Sequence, residues 1–226
     1  MSLDLAFLRS GLITYLLLIV SLTVHEWAHA IVADFLGDNT PRSQGRVTLN
    51  PMAHIDVLGT VAIPLFNIFI LQGKFSLIGW GRPVMTNSAH FKHPRRDDVL
   101  VSLAGPVANL ALAFVTVVVG ARVAVSIPRI GDLIELLVVI NVGLALFNLL
   151  PIPPLDGGTL LRHLVRMTDA TFFTISRWSG VVMLVAINFS AFQNAIGLLI
   201  SRGCDPYINL CLWIDPAAAA VIFGHG

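Results

Sequence analysis

The chain has 226 residues, of which 56% are hydrophobic and only 12% are charged, and its formal net charge at pH 7 is +1. Its mean hydropathy of +0.82 is far too high for a soluble domain of this length, so the composition indicates a polytopic membrane protein. A net charge this small gives no support to nucleic-acid binding. Cys204 and Cys211 fit no metal or redox spacing.

The first predicted element is a long helix from about Leu5 to Phe35, and Gly37 provides its C-terminal stop. Residues 11–24 contain no charged side chain, which is typical of a segment embedded in lipid. A polar motif therefore comes directly after a segment typical of a membrane span.

That motif is His-Glu-Trp-Ala-His at residues 25–29. His25 and His29 lie on the same face of a helix, one turn apart, so both imidazoles could bind the same Zn²⁺. Glu26 could reach a water molecule at the metal and remove its proton, which is the arrangement behind the H-E-x-x-H signature of zinc peptidases.

Two other interpretations of this segment stay open on the motif alone. The five letters also occur by chance in proteins without a metal. Alternatively, residues 28–30, Ala-His-Ala, resemble the cleavage site of a secretory signal peptide. Against the second interpretation, Asp4 opposes Arg9, so the segment before the apolar run has no net positive charge. A third ligand elsewhere in the chain would separate these interpretations.

The next segments connect the first helix to the second predicted span. Residues 38–56 are polar, and within them residues 44–50 could form a short strand or hairpin. Residues 57–71 are apolar but number only about fifteen, with Pro64 and Asn67 inside, so they are marginal as a span and are equally compatible with a re-entrant segment.

Residues 74–98 form the most polar stretch. Residues 79–85 have a strand-like and turn-like composition, and the charged run 92–98 predicts a solvated juxtamembrane loop on the cytoplasmic side. Two further spans are predicted, from Val99 to about Val125 and from about Leu133 to Leu150. Their two asparagines are expected to make interhelical hydrogen bonds: Asn109 and Asn141.

A break follows at residues 151–158, where three prolines and two glycines cannot continue a helix. Asp156 is therefore presented from an irregular segment, which is tolerated at membrane depth only next to protein or a watery cavity. A carboxylate in this setting needs a partner, and a metal would supply one. Beyond it we predict a span at about residues 180–200, and an apolar tail, 207–223, that either crosses the membrane or lies partly in it.

Together these motifs resemble those of the site-2 protease family, the intramembrane zinc metalloproteases. The resemblance is carried by H-E-x-x-H at residues 25–29, by Ala-Gly-Pro at 104–106 with Asn109, and by N-x-x-P-x-P-x-L-D-G at 148–157. It implies one Zn²⁺ per chain, a general base and a substrate-positioning side chain. The corresponding residues are His25, His29 and Asp156 as metal ligands, Glu26 as the base, and Asn148 close to the substrate.

Residues 50–56 resemble a feature of the short bacterial members of this family. His54 could position the substrate by donating to its oxyanion, could carry metal transiently, or could be a loop histidine without a role. The sequence contains no recognisable PDZ-like or nucleotide-binding regulatory domain, so the resemblance is to a short form.

The ligand set also constrains the topology. Ligands about 2 Å from one metal must share one depth in the membrane, so the helices that carry them must run in the same direction. If residues 57–71 crossed the bilayer, the ligands would lie toward opposite faces of a core about 30 Å thick. We therefore expect this segment to enter and leave the membrane on the same side.

The distribution of basic residues agrees with a re-entrant segment. It places ten of the 14 lysines and arginines on one side, which the positive-inside rule identifies as cytoplasmic. The N-terminus is then extracytoplasmic, and the metal lies nearer the cytoplasmic face of the cell (inner or plasma) membrane. These ten residues are Arg42, Arg46, Lys74, Arg82, Lys92, Arg95, Arg96, Arg162, Arg166 and Arg177.

The sequence thus predicts an all-α polytopic membrane protein that forms a single membrane-embedded peptidase domain over residues 1–226. A three-span core, residues 5–158, holds a small strand-containing insert and the re-entrant segment, and residues 159–226 add one or more spans. The predicted function is zinc-dependent hydrolysis of peptide bonds in membrane-spanning proteins, with the bilayer and a transmembrane substrate as partners and no nucleic acid.

Two alternatives are a non-catalytic metal-binding or transport protein of the membrane and a pseudoprotease that binds transmembrane helices. Glu26 at the general-base position disfavours transport, as does the lack of any repeat between the halves of the chain. The complete set of three ligands and one base disfavours the pseudoprotease.

Overall fold

The computed structural model describes residues 5–71, 80–127 and 130–224, and its regular structure over these ranges is entirely helical. Three helices are long and apolar enough to cross a membrane, or four if one bent pair forms a single span. The α-helices in chain order are α1 Leu5–Phe35, α2 Thr40–Ser43, α3 Ile63–Phe66, α4 Pro94–Val123, α5 Gly131–Asn148, α6 Asp156–Leu164, α7 Asp169–Ala186, α8 Ser190–Ile214 and α9 Pro216–Phe223.

The three long apolar helices α1, α4 and α5 form the core, with α4 packed against both of the others. The first helix has the predicted bounds. The second begins earlier than predicted, because the charged run does not stay a loop: Pro94 occupies the first helical position, and the Asp97 carboxylate accepts a hydrogen bond from the His93 backbone N–H at 3.0 Å. Asp97 and Asp98 are consequently buried rather than solvated.

The predicted strands are wrong within the ranges that the structure describes. After α2 the chain turns back on itself, so that the N–H groups of Gly45 and Arg46 bond to carbonyls of Arg42 and Pro41 instead of a strand partner. Gly45 has φ +68°, a left-handed conformation that glycine adopts without steric cost. These local bonds satisfy the backbone and leave no ladder to form.

The second predicted strand, at residues 79–85, begins at Gly79, which lies outside the described residues. The segment from Trp80 to Asn87 has no regular secondary structure and is not part of a sheet. Its alternate N–H groups donate to three unrelated acceptors. They run from Trp80 to the Gly59 carbonyl, from Arg82 to the His54 carbonyl, and from Val84 to the Glu26 carboxylate.

Residues 57–71 form a continuous helical stretch with α3 at its centre and π-helical turns on either side, Val57–Ala62 and Asn67–Leu71. The Asp56 carboxylate caps its start by accepting from the N–H groups of Leu58 and Gly59. At 1.5 Å per residue the stretch rises at most about 22 Å, which is shorter than the hydrocarbon core of about 30 Å.

The chain returns to the beginning of this stretch at Trp80. The Trp80 N–H donates to the Gly59 carbonyl at 3.3 Å, and the Thr60 hydroxyl donates to the Trp80 carbonyl at 2.7 Å. The Trp80 ring lies directly over Gly59, where a Cβ atom would overlap it. The chain at Trp80 therefore lies beside the beginning of the helical stretch 57–71.

The C-terminal part differs from the prediction of one span at residues 180–200. α7 and α8 meet at an angle of 95°. At the bend between α7 and α8, the Asn188 side-chain amide donates to the Leu184 carbonyl at 3.0 Å and the Gln193 amide donates to the Ile187 carbonyl at 2.8 Å. These side chains bond to backbone carbonyls near the end of α7. These polar residues allow the helix to end inside an apolar run.

The apolar tail continues in α8 and then forms α9, whose start is capped by the Asp215 carboxylate. α9 packs beside α5 and α8 in one buried cluster of small and branched side chains. Cys211 and Ile222 belong to this cluster and are fully buried, and Cys211 forms no disulfide.

Candidate metal centre

Three side chains from α1 and α6 converge at the centre of the core. His25 Nε2 lies 3.0 Å from His29 Nε2 and 3.2 Å from an Asp156 carboxylate oxygen, while His29 Nε2 lies 3.4 Å from the other oxygen. Two atoms that each lie about 2 Å from a tetrahedral zinc ion are about 3.3 Å apart. The three distances therefore fit one shared zinc ion.

The hydrogen bonding of these three side chains also favours a shared metal ion. Asp156 Oδ2 is buried and has no hydrogen-bond partner among the described residues, although His25 Nε2 is nearby. Two imidazole nitrogens that face each other with a carboxylate are the donor set of a hydrolytic zinc site, which leaves a coordination position for water.

Local sequence explains how each ligand reaches this point. The two histidines are one turn apart on α1, as the motif predicted. Asp156 is the first residue of α6 rather than part of an irregular segment, and the break before it lets α6 begin next to α1. Gly157 and Gly158 pack against the backbone of the preceding turn, where a Cβ atom on either would overlap main-chain atoms.

Gly105 of α4 completes the wall of the site. A Cβ atom at this position would lie 2.6 Å from His25 Nε2 and would overlap the His29 ring as well. Only glycine lets the α4 backbone come this close, which gives a physical reason for the Ala-Gly-Pro motif.

Hydrogen bonds on the far side of each imidazole fix its orientation. His25 Nδ1 lies 2.6 Å from Asn109 Oδ1, and His29 Nδ1 lies 2.7 Å from the Val101 carbonyl. Both partners are acceptors, so each Nδ1 carries the proton and each Nε2 directs its lone pair toward the other ligands.

The Asn109 amide is itself held by a buried network. Its Nδ2 donates to Asn141 Oδ1 at 2.8 Å and to the Ser21 carbonyl at 3.2 Å, and Asn141 donates to the Ser21 hydroxyl at 3.0 Å. All three residues have no exposed surface. The prediction of interhelical hydrogen bonds is confirmed, but the sequence did not show that one of them orients a ligand.

Glu26 faces the same cavity as the three ligands, a space of about 580 Å³. Its carboxylate accepts a hydrogen bond from the Val84 N–H at 3.1 Å. The irregular segment that begins at Trp80 thus forms one wall of the cavity beside the carboxylate predicted to act as the base.

Arg46 holds the segment that begins at Trp80, and no pattern in the sequence predicted a role for it in the site. Its buried guanidinium donates to the carbonyls of Ala53 and Arg82, the latter at 3.3 Å. Burial lowers the pKa of Arg46, and so does the charge of Arg82, whereas the nearby Glu26 charge opposes both effects. The burial of Arg46 could not be predicted from the sequence, because residues 38–56 have the composition of an ordinary polar connection.

The two residues predicted to position substrate are placed differently. Asn148 lines the cavity at the end of α5, with its Nδ2 donating to the Leu144 carbonyl at 2.9 Å. The His54 ring points instead toward the Thr48 carbonyl, 2.8 Å from Nε2, and His54 is not among the residues that line the cavity. The backbone carbonyl of His54 accepts a hydrogen bond from the Arg82 N–H. His54 thus contacts the segment that begins at Trp80, but its side chain does not line the cavity.

Comparisons with known proteins relate this chain to a described family. The family model described as Peptidase family M50 matches residues 122–187, which include Asp156 but not the H-E-x-x-H motif. The chain is 44% identical over 207 residues to "Putative zinc metalloprotease YwhC" of Bacillus subtilis, a match that covers 85% of this chain and 88% of that protein. No solved structure gives a significant match.

Two further relatives are more distant. "Putative zinc metalloprotease Rip2" of Mycolicibacterium smegmatis is 32% identical over 173 residues, covering 75% of this chain and 64% of that protein. Stage IV sporulation protein FB of Bacillus subtilis is 27% identical over 196 residues, covering 81% and 65%. The non-catalytic alternatives are not favoured by these relatives, and the chain belongs to peptidase family M50, the site-2 proteases, as a zinc-dependent intramembrane metalloendopeptidase.

Proposed function

We propose that His25, His29 and Asp156 bind the catalytic zinc and that Glu26 is the general base for hydrolysis of peptide bonds in membrane-spanning proteins. The observation that carries this assignment is the convergence of three ligand atoms, all within 4.8 Å of one another, from opposite ends of the core sequence. All four residues belong to the segment 5–158, which we assign as the catalytic core of a single peptidase domain.

Bound zinc supplies a Lewis acid for the scissile carbonyl and lowers the pKa of water to about 7. The Glu26 carboxylate accepts the proton of the attacking water and returns it to the nitrogen of the leaving amine. The Val84 N–H holds one Glu26 oxygen, which limits the carboxylate to orientations that face the cavity. Asn148, on the same cavity, is placed to hold the substrate backbone.

The substrate must change conformation before it can react. A transmembrane helix satisfies its backbone hydrogen bonds internally, so its peptide carbonyls are not free to approach the metal. Local unwinding exposes them, and helix-breaking residues near the scissile bond should therefore favour cleavage.

We infer that residues 57–71 are re-entrant, so that α1 and α5 run in the same direction. Two observations support this: the helical stretch is too short to cross the core, and Trp80 returns to hydrogen-bond with Gly59 at its start. This topology places the N-terminus outside and the metal nearer the cytoplasmic face, because the side richer in lysine and arginine is cytoplasmic.

The assignment is tested by zinc content and cleavage measured on the same preparations. Wild type, Glu26→Gln and Asp156→Asn are purified in detergent and given a single-span reporter substrate. We expect Glu26→Gln to keep about one zinc and to lose activity by about 10²–10⁴-fold. Asp156→Asn should weaken both zinc binding and cleavage, because it removes a charged ligand.

Glu135→Gln is the matched control, since Glu135 lies on α5 near its start and is not among the residues lining the cavity. It should retain full zinc content and cleavage. Equal cleavage by wild type and Glu26→Gln would refute the proposed base.

A further inference from the structure

A second cavity, of about 260 Å³, lies beside the metal centre between the start of α4 and the turn that joins α6 to α7. It shares Ser88, Asp98 and Arg162 with the larger cavity. Its other polar lining residues are Arg95, His163 and Arg166. Three guanidinium groups around so small a space suggest an anionic ligand.

Asp98 is the one carboxylate among the described residues that line this cavity. The Ser88 hydroxyl lies 2.8 and 2.9 Å from its two oxygens and donates its one hydrogen bond to this carboxylate. His163 Nε2 lies 3.3 Å from Asp98 but without hydrogen-bond geometry, so this buried nitrogen has no hydrogen-bond partner among the described residues. A buried nitrogen without a partner is costly, and a ligand oxygen would satisfy it.

The three arginines differ in their partners. Arg162 pairs with Asp169. The side chains of Arg95 and Arg166 form neither a hydrogen bond nor an ion pair with any residue in the part of the chain that the structure describes. Asp169 pairs with Arg162 and Asp98 offsets one further charge, so the three guanidinium groups leave the cavity with a net positive charge.

The backbone of Arg166 is unusual. It has φ +54° in the turn after α6, where the Met167 N–H bonds back to the Arg162 carbonyl at 2.8 Å. Glycine is the usual residue in this type of helix end, because other side chains are strained there. Such strain is tolerated where the side chain has a function, and here the side chain lines the cavity.

The surroundings indicate a lipid ligand. Arg95 is in the first turn of the membrane-spanning helix α4. Leu164 and Val165, next to the cavity-lining residues, are 82% and 56% exposed, so apolar surface borders the charged pocket. A phospholipid would place its phosphate against the arginines and its acyl chains along this surface.

We propose that this cavity binds the phosphate group of an anionic membrane phospholipid. Guanidinium groups match phosphate oxygens in a forked geometry, and basic pockets at the cytoplasmic ends of membrane helices bind lipid headgroups in this way. The site lies beside the catalytic cavity without including any of its proposed ligands or its base, so it does not depend on the catalytic assignment.

The test measures lipid retention directly. The zinc-loaded protein is reconstituted in nanodiscs of equal parts phosphatidylcholine and phosphatidylglycerol and extracted gently, and bound phospholipid is counted by native mass spectrometry. Wild type should retain phosphatidylglycerol in preference to phosphatidylcholine. Arg95→Gln with Arg166→Gly should retain about tenfold less phosphatidylglycerol.

The substitutions are chosen so that misfolding cannot explain the loss. Glycine suits the backbone of residue 166, and the zinc content of each variant reports whether the core is intact. Arg96→Gln with Arg177→Gln removes the same charge from exposed positions outside the cavity and should retain lipid as wild type does. Equal retention by the two double variants would overturn the proposal. If the double variant cannot be purified, Arg166→Gly alone decides, and retention at the wild-type level would again overturn it.

A second arm distinguishes a lipid from a free phosphate compound. Inorganic phosphate or glycerol 1-phosphate, added at the concentration of the lipid, should not displace bound phosphatidylglycerol, because neither contacts the apolar border. Displacement at equal concentration would show that the cavity is a site for soluble phosphate and would exclude the lipid.

Discussion

Asn109 Oδ1 lies 2.6 Å from His25 Nδ1, and this contact joins the H-E-x-x-H motif on α1 to the apolar helix α4. The amide oxygen accepts a hydrogen bond from the Nδ1–H group, which leaves the lone pair of Nε2 free to bind metal. Because the Asn109 Nδ2 donates to Asn141 and to Ser21, the amide cannot rotate and present its nitrogen to the histidine. The network therefore fixes the tautomer of one proposed metal ligand.

Asn109→Ala should weaken zinc binding by about 10–100-fold, the range seen when a hydrogen-bond partner of a metal ligand is removed. The physical reason is that His25 can then rotate or protonate at Nε2. Competition with a chromogenic chelator measures the affinity.

Asn109→Asp is the informative companion, because its carboxylate still offers an acceptor to His25 Nδ1. It should recover part of the affinity lost in Asn109→Ala. Wild-type zinc affinity in the alanine variant would show that the contact does not support the ligand.

Gly105→Ala should abolish zinc binding, since the added methyl group would occupy the space between the two imidazoles. Overpacking of this kind costs about 1–3 kcal/mol when neighbours can move, and here the neighbours are the proposed ligands themselves. Zinc content by atomic absorption measures the effect.

Gly180→Ala is the matched control, because a Cβ atom added to Gly180 would have no other atom within 4 Å among the described residues. It should bind zinc as wild type does. A Gly105→Ala protein with one tightly bound zinc would contradict the geometry described for the site.

Much of the site could be predicted from the sequence, because it depends on local spacing. His25 and His29 are four residues apart and so share one face of any α-helix that contains them. The prolines at 151, 153 and 154 indicate a helix break just before Asp156. The roles of Gly105 and Arg46 could not be predicted, since each depends on contacts between segments far apart in the chain.

The errors in the fold have a common physical origin. The strand-like composition of residues 79–85 predicted a strand, but in the described part from Trp80 onward the N–H groups donate to single acceptors on three other segments. The charged run before residue 99 predicted a loop, but Asp97 and Asp98 have partners that allow burial. In each case hydrogen bonds that the composition does not show overrode the predicted structure.

The topology predicts opposite accessibility for two exposed serines. Ser43 is the last residue of α2, the short helix after α1, on the side of the proposed metal centre, and Ser126 follows α4, on the other side. With an impermeant maleimide on intact cells, Ser126→Cys should be labelled, whereas Ser43→Cys should be labelled only after permeabilisation. Cys204 and Cys211 are buried and should contribute little background.

A parental chain without either substitution measures that background. Labelling of Ser43→Cys in intact cells, with protection of Ser126→Cys, would reverse the proposed orientation. Labelling of both positions in intact cells would show that α4 does not separate them.

The loop beside the site is held by a buried carboxylate, Asp38. It accepts hydrogen bonds from Thr40, from the Asn87 N–H at 2.7 Å and from His90 Nδ1 at 2.9 Å. Burial raises the pKa of Asp38, but these hydrogen bonds, with the Thr40 hydroxyl foremost, outweigh burial and leave the pKa below its ordinary value of 3.8.

The sign of the pH dependence follows from this lowered pKa. A carboxylate whose pKa is lower in the folded chain contributes stability that is complete above its ordinary pKa and is lost as the pH falls through the lowered value. Asp38→Asn should therefore loosen residues 86–91 to a constant extent from about pH 5 to about pH 8. Below about pH 4 the difference from wild type should shrink.

Hydrogen exchange of the amides at residues 86–91, read by mass spectrometry after correction for intrinsic exchange rates, measures this difference. Asp205→Asn is the control, because Asp205 is exposed on α8 and should leave these amides unchanged at every pH. Wild-type protection in Asp38→Asn at neutral pH would mean that other contacts hold the loop. A difference that grew as the pH fell would mean that protonated Asp38, rather than the carboxylate, makes the stabilising bonds.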